Sequence, residues 1–367
     1  LKKHLQGEKD LRVRQDMGIL VSSIDNKIAK IRLEEKYILP WVDVPQLMFS
    51  SLRGLLQEQL PVVRRAKALE RLQRYVGLTP HSVPLTEQAK ARFMERRGKP
   101  GLQGPFKGRV EKSLANVPAY IKGIRDLFAA MKIAGAEPAL AAMERQLTDY
   151  AGWERAQVLP ATREDFRLPP ELYAFRLKQV GIDIDPQLLI QRAQVEYMET
   201  RAAMQALAPV VAKAKGIEPS DYRTVISSMK KDVIPNDQLE ARYKEINTAL
   251  EAAIRRERVV DVPSRPMIMR LASAAESATQ PAPHFLPPPL IGNAGEQGQF
   301  VLPVGNPAAG GKQEAYDDFN YPAAAWTLSA HEGRPGHELQ FSAMVERGVS
   351  QARMLYAFNS VNVEGWA

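Results

Sequence analysis

The sequence contains no cysteine, and only 5 of its 367 residues are histidine. Without cysteine the chain forms no disulfide and offers no thiolate to a metal ion, although this leaves the cellular compartment open. Apolar residues make up 45% and charged residues 25% of the chain, as in an ordinary globular protein. Apolar runs stay well short of the roughly 20 residues that a transmembrane helix needs, so we expect no membrane span.

The charge pattern argues against a nucleic-acid partner. The net charge is +8, but the basic residues alternate with acidic ones, as in Glu95-Arg96-Arg97. Such mixing is typical of solvated helix faces rather than of a basic stripe. The chain begins at Leu1 with no apolar leader and stops at Ala367. We therefore expect a piece of a longer protein, whose localisation and oligomeric state these residues leave unknown.

Apolar residues spaced three and four apart predict helices through most of the chain. We expect helices over residues 11–35, 44–75, 186–214 and 236–257, a helical pair over 110–158, and Asp185 as an N-cap. Residues 259–306 are rich in proline and glycine and carry β-prone runs at 259–262, 267–269 and 299–302. The alanine- and proline-rich residues 272–289 are interpreted as a surface segment. We divide the chain into a helical region, 1–258, and a catalytic core region, 259–367. In the latter, strands and loops at 259–306 precede metal-binding helices at 311–367, and the C-terminal part is expected to be missing.

The segment His331-Glu332-Gly333-Arg334-Pro335-Gly336-His337, with Glu364 downstream, carries the residue types of a catalytic zinc site. Imidazole nitrogens and a carboxylate are zinc ligands, and catalytic sites leave the fourth position for water. A carboxylate beside that water can accept its proton, and Glu332 is placed for this role.

The histidine spacing requires a break in the helix. Residues six apart lie about 240° apart around a straight helix, so the two imidazoles could not reach one ion. Pro335 lacks an N–H to continue the helix, and Gly336 tolerates unusual backbone angles. We predict that the helix breaks at these two residues and that His337 returns beside His331.

These residues, with Glu364-Gly365-Trp366-Ala367, resemble the two signatures of a bacterial family, domain of unknown function 885, which read roughly H-E-x-x-P-G-H and E-G-W-A-L-Y. Its members are regarded as helical and zinc-peptidase-like. The resemblance implies that His331, His337 and Glu364 bind Zn²⁺, that Glu332 is the general base, and that the protein is periplasmic or secreted. One departure is Glu338, which stands where the family frequently has a histidine.

Residues around the motif suggest further roles. The strand at 299–303 is expected either to lie at a sheet edge, where an extended peptide could pair with it, or to be a structural hairpin. Asp317 and Asp318 could orient a histidine or cap a helix. Trp326 and Trp366 are expected to pack in the core around the site, and Arg334 to face solvent. His284, among prolines, is expected to be a packing residue.

We therefore expect a mainly α-helical, zinc-peptidase-like protein with a small β element lining the active-site cleft. Its predicted function is that of a metallopeptidase, in which water activated by Zn²⁺ attacks a peptide substrate and Glu332 accepts the proton. Two alternatives stay open: a metal hydrolase of a non-peptide amide or ester, and a catalytically inactive helical interaction protein.

Overall fold

The computed structural model describes residues 1–218, 221–303, 305 and 318–367. Helices dominate these residues, which confirms the mainly α class. In chain order the helices are α1 Lys2–Gly7, α2 Leu11–Tyr37, α3 Val44–Arg53, α4 Val62–Tyr75, α5 Leu85–Arg96, α6 Lys107–Ala130, α7 Glu137–Trp153, α8 Pro170–Gln179, α9 Pro186–Lys215, α10 Tyr222–Met229, α11 Asn236–Glu257, α12 Ala274–Thr279, α13 Pro322–Glu332, α14 His337–Arg347, α15 Gln351–Tyr356 and α16 Ser360–Trp366. The strands are β1 Ile268–Leu271, β2 His284–Leu286 and β3 Gln299–Leu302.

Local signals placed the long helices α2, α9 and α11 and the helical pair α6 and α7 correctly. Asp185 caps α9 as predicted, because its carboxylate accepts the Gln187 and Leu188 N–H groups. The single helix predicted over 44–75 is wrong, since the chain forms α3 and α4 with a turn between them. Pro61 is the N-cap of α4, and its missing N–H cannot continue a helix from α3.

The main hydrophobic core lies among α3, α4, α6 and α7. Phe49 of α3 and Tyr120 of α6 are buried there with ring centroids 5.7 Å apart. Helix α12 packs on the same core through Ala275 and Ala278. Residues 272–289 were interpreted as a surface segment. This is wrong for α12, because four of its six residues are buried against the main hydrophobic core.

The sheet has the order β1-β3-β2, with β3 parallel to β1 and antiparallel to β2. The predicted strands at 267–269 and 299–302 are confirmed as β1 and β3, whereas 259–262 is loop. Placing 299–303 at a sheet edge is wrong, because β3 is buried between the other two strands. Within the described residues the edges belong to β1 and β2.

The two faces of the sheet meet different parts of the molecule. Met269, Phe300 and Leu302 form a second hydrophobic cluster with Tyr243 of α11 and Ala325 of α13. Because side chains alternate along a strand, Arg270 and His284, both aligned with Val301, lie on the opposite face. The sheet therefore separates the helices that carry the histidine motif from the helical body.

Candidate metal centre

The helix break predicted in the motif is confirmed. Helix α13 ends at Glu332 and α14 begins at His337, with Gly333 and Gly336 at the two junctions. The Gly336 N–H donates to the Ala330 carbonyl at 2.9 Å, and the Glu338 N–H donates to the Gly333 carbonyl at 3.1 Å. These contacts fold the four intervening residues against the end of α13.

Arg334 connects this turn to neighbouring segments of the chain by hydrogen bonds. Its guanidinium donates to the carboxylates of Glu338 and Glu251 and to the Pro263 and Arg265 carbonyls. Its side chain is only 4% exposed, so the expectation that it faces solvent is wrong. Glu338 is fully buried and also accepts from the Ser342 hydroxyl, which gives Arg334 an acidic partner in the interior.

The turn brings the two imidazoles together. The rings of His331 and His337 have centroids 4.7 Å apart and lie edge to face at 73°. Each Nε2 atom faces Glu364, at 3.5 Å from Oε2 for His331 and 3.6 Å for His337. Ligands about 2.0–2.1 Å from a tetrahedral zinc ion lie about 3.4 Å from one another. The two distances from Glu364 Oε2 to the imidazole nitrogens are close to that spacing.

Glu332 is the second carboxylate of the cluster. Its side chain and those of His331 and His337 offer ligand atoms that all lie within 4.8 Å of one another. The pKa of Glu332 is raised to about 7, first by burial and then by the charge of Glu364, while the nearby Phe285 N–H acts in the opposite direction. Two carboxylates therefore reach the imidazoles, and Glu332 is the buried one, whereas the Glu364 side chain is 65% exposed.

His337 has the character of a neutral metal ligand. Its pKa is lowered, first by burial and then by the neighbouring His331, while the charge of Glu364 acts to raise it. Its Nδ1 atom is buried and has no hydrogen-bond partner among the described residues. Of the predicted orienting residues, Asp317 lies outside the described residues, and the Asp318 carboxylate pairs with Lys230.

Trp366 links the second signature to the first. Its indole Nε1 lies 3.1 Å from the carbonyl oxygens of both Pro335 and Gly336. This contact holds α16, and with it Glu364, beside the turn. Trp366 is 49% and Trp326 41% exposed, so the expectation that both are core residues is wrong.

Sequence reasoning missed strand β2, whose Phe285 N–H lies near the Glu332 carboxylate and opposes the rise of its pKa. The strand is three residues long and flanked by Pro283 and Pro287. A residue before proline is biased towards extended backbone, so this tripeptide did carry a signal. His284 is half-buried on β2, and its Nδ1 lies 3.0 Å from the Ala282 carbonyl.

Three comparisons with known proteins bear on the chain. Residues 3–367 match the family model described as "Bacterial protein of unknown function (DUF885)". The comparison with curated proteins gave no match.

Two solved structures share the fold. One is "the putative lipoprotein from Colwellia psychrerythraea", with a TM-score of 0.57, 13% identity and 86% of this chain covered. The other is "a putative lipoprotein of unknown function from Shewanella oneidensis", with a TM-score of 0.57, 15% identity and 100% covered. The alignments span 56% and 66% of those two chains.

Proposed function

The chain belongs to DUF885, a family of bacterial proteins of unknown function, and we propose that it is a zinc-dependent hydrolase that cleaves peptide bonds. One observation carries the proposal. Two imidazole Nε2 atoms lie within 3.6 Å of one carboxylate oxygen, with a second, buried carboxylate beside them.

In this proposal His331, His337 and Glu364 hold the metal ion. Two histidines and one glutamate are a donor set of catalytic zinc sites. The absence of cysteine and the lowered pKa of His337 fit an ion bound by neutral imidazoles. A zinc ion bound there would polarise a carbonyl group and lower the pKa of a water molecule.

Glu332 acts as the general base. It lies beside the imidazoles but on the buried side of the cluster, and the Phe285 N–H lies near its carboxylate. From there it takes the proton of the attacking water and delivers it to the leaving amine. We assign it this role rather than metal binding because Glu364 already faces both Nε2 atoms.

Strand β2 supports a peptide as the substrate. One side of β2 pairs with β3, and the Phe285 N–H on its other side reaches towards Glu332. Within the described residues that outer edge has no strand partner. An extended peptide pairing with this edge would lie along Glu332 and the two imidazoles.

The other two functions keep the same fold. A hydrolase of a non-peptide amide or ester would use the same ligands, and a non-catalytic interaction protein would need none of them.

Among the described residues, no helix is both long and apolar enough to cross a membrane. We propose an extracytoplasmic location, which the names of the two similar structures support.

Paired substitutions of the two carboxylates test the assignment. Glu332→Gln keeps the size of the side chain but cannot take a proton, so hydrolysis of a mixed peptide library should fall by roughly two to four orders of magnitude while zinc remains bound. Glu364→Gln should instead weaken zinc binding. Zinc content by elemental analysis and peptide cleavage by mass spectrometry are the two measurements.

His337→Ala is the control for metal loss, because it removes one of three ligands. Wild-type protein should hold about one zinc ion per chain after zinc is supplied. A protein that binds no transition metal under these conditions would exclude the metal site. Equal loss of zinc in Glu332→Gln and Glu364→Gln would show that the two roles are wrongly divided. Zinc binding without cleavage of any library peptide would point to one of the other two functions.

A further inference from the structure

A second candidate site lies on the other face of the sheet. A cavity of about 600 Å³ opens between α3, α6, α12 and β1, and we call it the α3–α6 cavity. Arg270 and Gln299 line it from the sheet. Both project away from the cluster of α11 and α13, so the cavity is separate from the histidine motif.

Charged groups at the sheet end of the cavity are two arginines and one buried glutamate. Glu276 Oε1 accepts from Arg53 at 2.9 Å and from Arg270 at 2.7 Å, and Oε2 accepts from Arg270 at 3.0 Å and from the Ser273 N–H at 2.9 Å. Burial raises the pKa of Glu276. Its hydrogen bonds to Arg270 and the charges of the two arginines have the larger effect and lower that pKa to about 2. The carboxylate is thus ionised and its acceptor sites are filled.

The polar atoms here that still lack a protein partner are hydrogen-bond donors of Arg53 and Gln57. Within the described residues, Arg53 makes only the bond to Glu276, which leaves its Nε and Nη2 donors without a protein acceptor. The amide oxygen of Gln57 accepts from Gln59 and Gln299, while its Nε2 donates to no described residue. Arg270, in contrast, uses all three guanidinium nitrogens. Glu58, Lys122 and Asp126 also line the cavity, so the spare donors of Arg53 and Gln57, rather than a net positive charge, favour an anion here.

Much of the remaining cavity wall is apolar, although Glu58, Lys122 and Asp126 also line the cavity. Phe49, Leu56, Leu127 and Met131 line it together with Ile268 of β1. Gly123 brings α6 close to α12 here, since a Cβ at this position would lie 2.4 Å from the Ala275 Cβ. At the rim, Lys122 is already paired with Asp126 at 2.6 Å.

We propose that the α3–α6 cavity binds a monocarboxylate that carries an apolar group. The carboxylate accepts from Arg53 and Gln57, and the apolar group lies against the leucine, methionine and phenylalanine side chains. A single acid is favoured because only one guanidinium has spare donors. This site does not depend on the metal centre or on the proposed hydrolase activity.

Isothermal titration with 4-phenylbutyrate tests the proposal on the wild-type chain. We expect saturable binding of one molecule per chain. The neutral isostere 4-phenylbutan-1-ol should bind at least about tenfold more weakly, because it lacks the charge-assisted hydrogen bonds. Acetate, which lacks the apolar group, should show no saturable binding over the same concentration range.

Substitutions then place the ligand. Arg53→Gln should weaken 4-phenylbutyrate binding at least about tenfold, and Arg53→Lys should fall between it and wild type because it keeps the charge but loses the planar fork. Lys67→Gln, which removes a positive charge outside the cavity, is the matched control and should bind as wild type. Circular dichroism and melting curves check folding, and the comparison of acid with alcohol on wild type decides the matter if Arg53→Gln fails to fold.

His337→Ala separates this site from the metal centre, where a carboxylate could also bind. We expect 4-phenylbutyrate to bind this variant as it binds wild type. The proposal is overturned if the acid shows no saturable binding, if the alcohol binds equally well, if a folded Arg53→Gln retains full affinity, or if binding disappears in His337→Ala.

Discussion

At the scale of single residues, the metal centre depends on glycine at two places in the turn. A Cβ at Gly336 would lie 1.8 Å from the His331 carbonyl oxygen, and one at Gly333 would lie 2.3 Å from the Asn247 amide oxygen. Both distances are far below van der Waals contact, and the neighbour at Gly336 is backbone that cannot rotate away. The turn can therefore close only if these positions carry no side chain.

Gly336→Ala should open the turn and separate His337 from His331. We expect zinc affinity to fall by at least about tenfold, because one of the three proposed ligands is displaced. Gly365→Ala is the matched control, since nothing lies within 4 Å of a Cβ there, and should bind zinc as wild type. Competition with a chelating dye measures both affinities, and unchanged affinity in a folded Gly336→Ala would contradict this account of the turn.

Glu338, the departure from the family pattern, has a structural explanation at the same scale. Its carboxylate is buried against the Arg334 guanidinium, also buried. An acidic residue here gives the buried Arg334 a second carboxylate partner beside Glu251, and the guanidinium in turn compensates the charge of the fully buried Glu338. Because Arg334 donates to the Pro263 and Arg265 carbonyls as well, the pair also ties the turn to the loop before β1.

At the scale of elements, α16 is held at both ends, by its N-cap Asn359, whose amide donates to the Val180 carbonyl at 3.0 Å, and by the contact of Trp366 with the turn. Every residue of α16 from Ser360 to Trp366 is exposed or half-buried, so apolar burial contributes little to its position. The Trp366 indole contacts two carbonyl oxygens of the turn. Glu364 stands two residues before Trp366, so this contact helps to set its distance from the histidines.

Trp366→Phe should loosen α16 and weaken zinc binding without removing any ligand. We expect roughly a tenfold loss of affinity, in the range found for groups that orient metal ligands. Trp326→Phe is the control, because Trp326 is similarly exposed and lies on α13. If Trp366→Phe binds zinc as tightly as the control does, Glu364 is not held in place by this contact or is not a ligand.

At the scale of the whole molecule, the helical body buries acidic groups away from the metal centre. Glu154, in a short π-helical segment after α7, is fully buried and accepts from the Trp41 indole at 2.7 Å. Its Oε2 atom has no partner among the described residues. Burial raises its pKa from 4.5 to about 7, and the nearby Asp43 adds to this against the hydrogen bond from Trp41.

This buried carboxyl should make the protein less stable as pH rises. The folded pKa lies above the unfolded one, so the folded state keeps the proton longer, and stability is lost between about pH 4.5 and about pH 7. The loss should reach roughly 3 kcal/mol at most, at about 1.4 kcal/mol per pKa unit. Glu154→Gln should remove this part of the pH dependence, as measured by urea unfolding at pH 5 and pH 8. The same slope in both proteins would show that Glu154 is not its source.

The sequence by itself singled out the residues of the candidate metal centre and determined where the helix must break. Two histidines six apart cannot share an ion on a straight helix, and Pro335 and Gly336 are the residues that can interrupt one. The structure confirms that break, while the zinc ligation and the domain boundary at 258 stay predictions. Helix bounds were also predictable, because apolar spacing and caps such as Asp185 are local signals.

Only the tertiary structure decided the surroundings of that centre. Arg334 is buried because Glu251, 83 positions earlier, lies beneath it, and β3 is central because β1 and β2 reach it from distant parts of the chain. The α3–α6 cavity likewise joins Arg53 to Glu276, 223 positions apart. Contacts over such separations depend on how whole elements pack, and neither residue spacing nor local propensity encodes them.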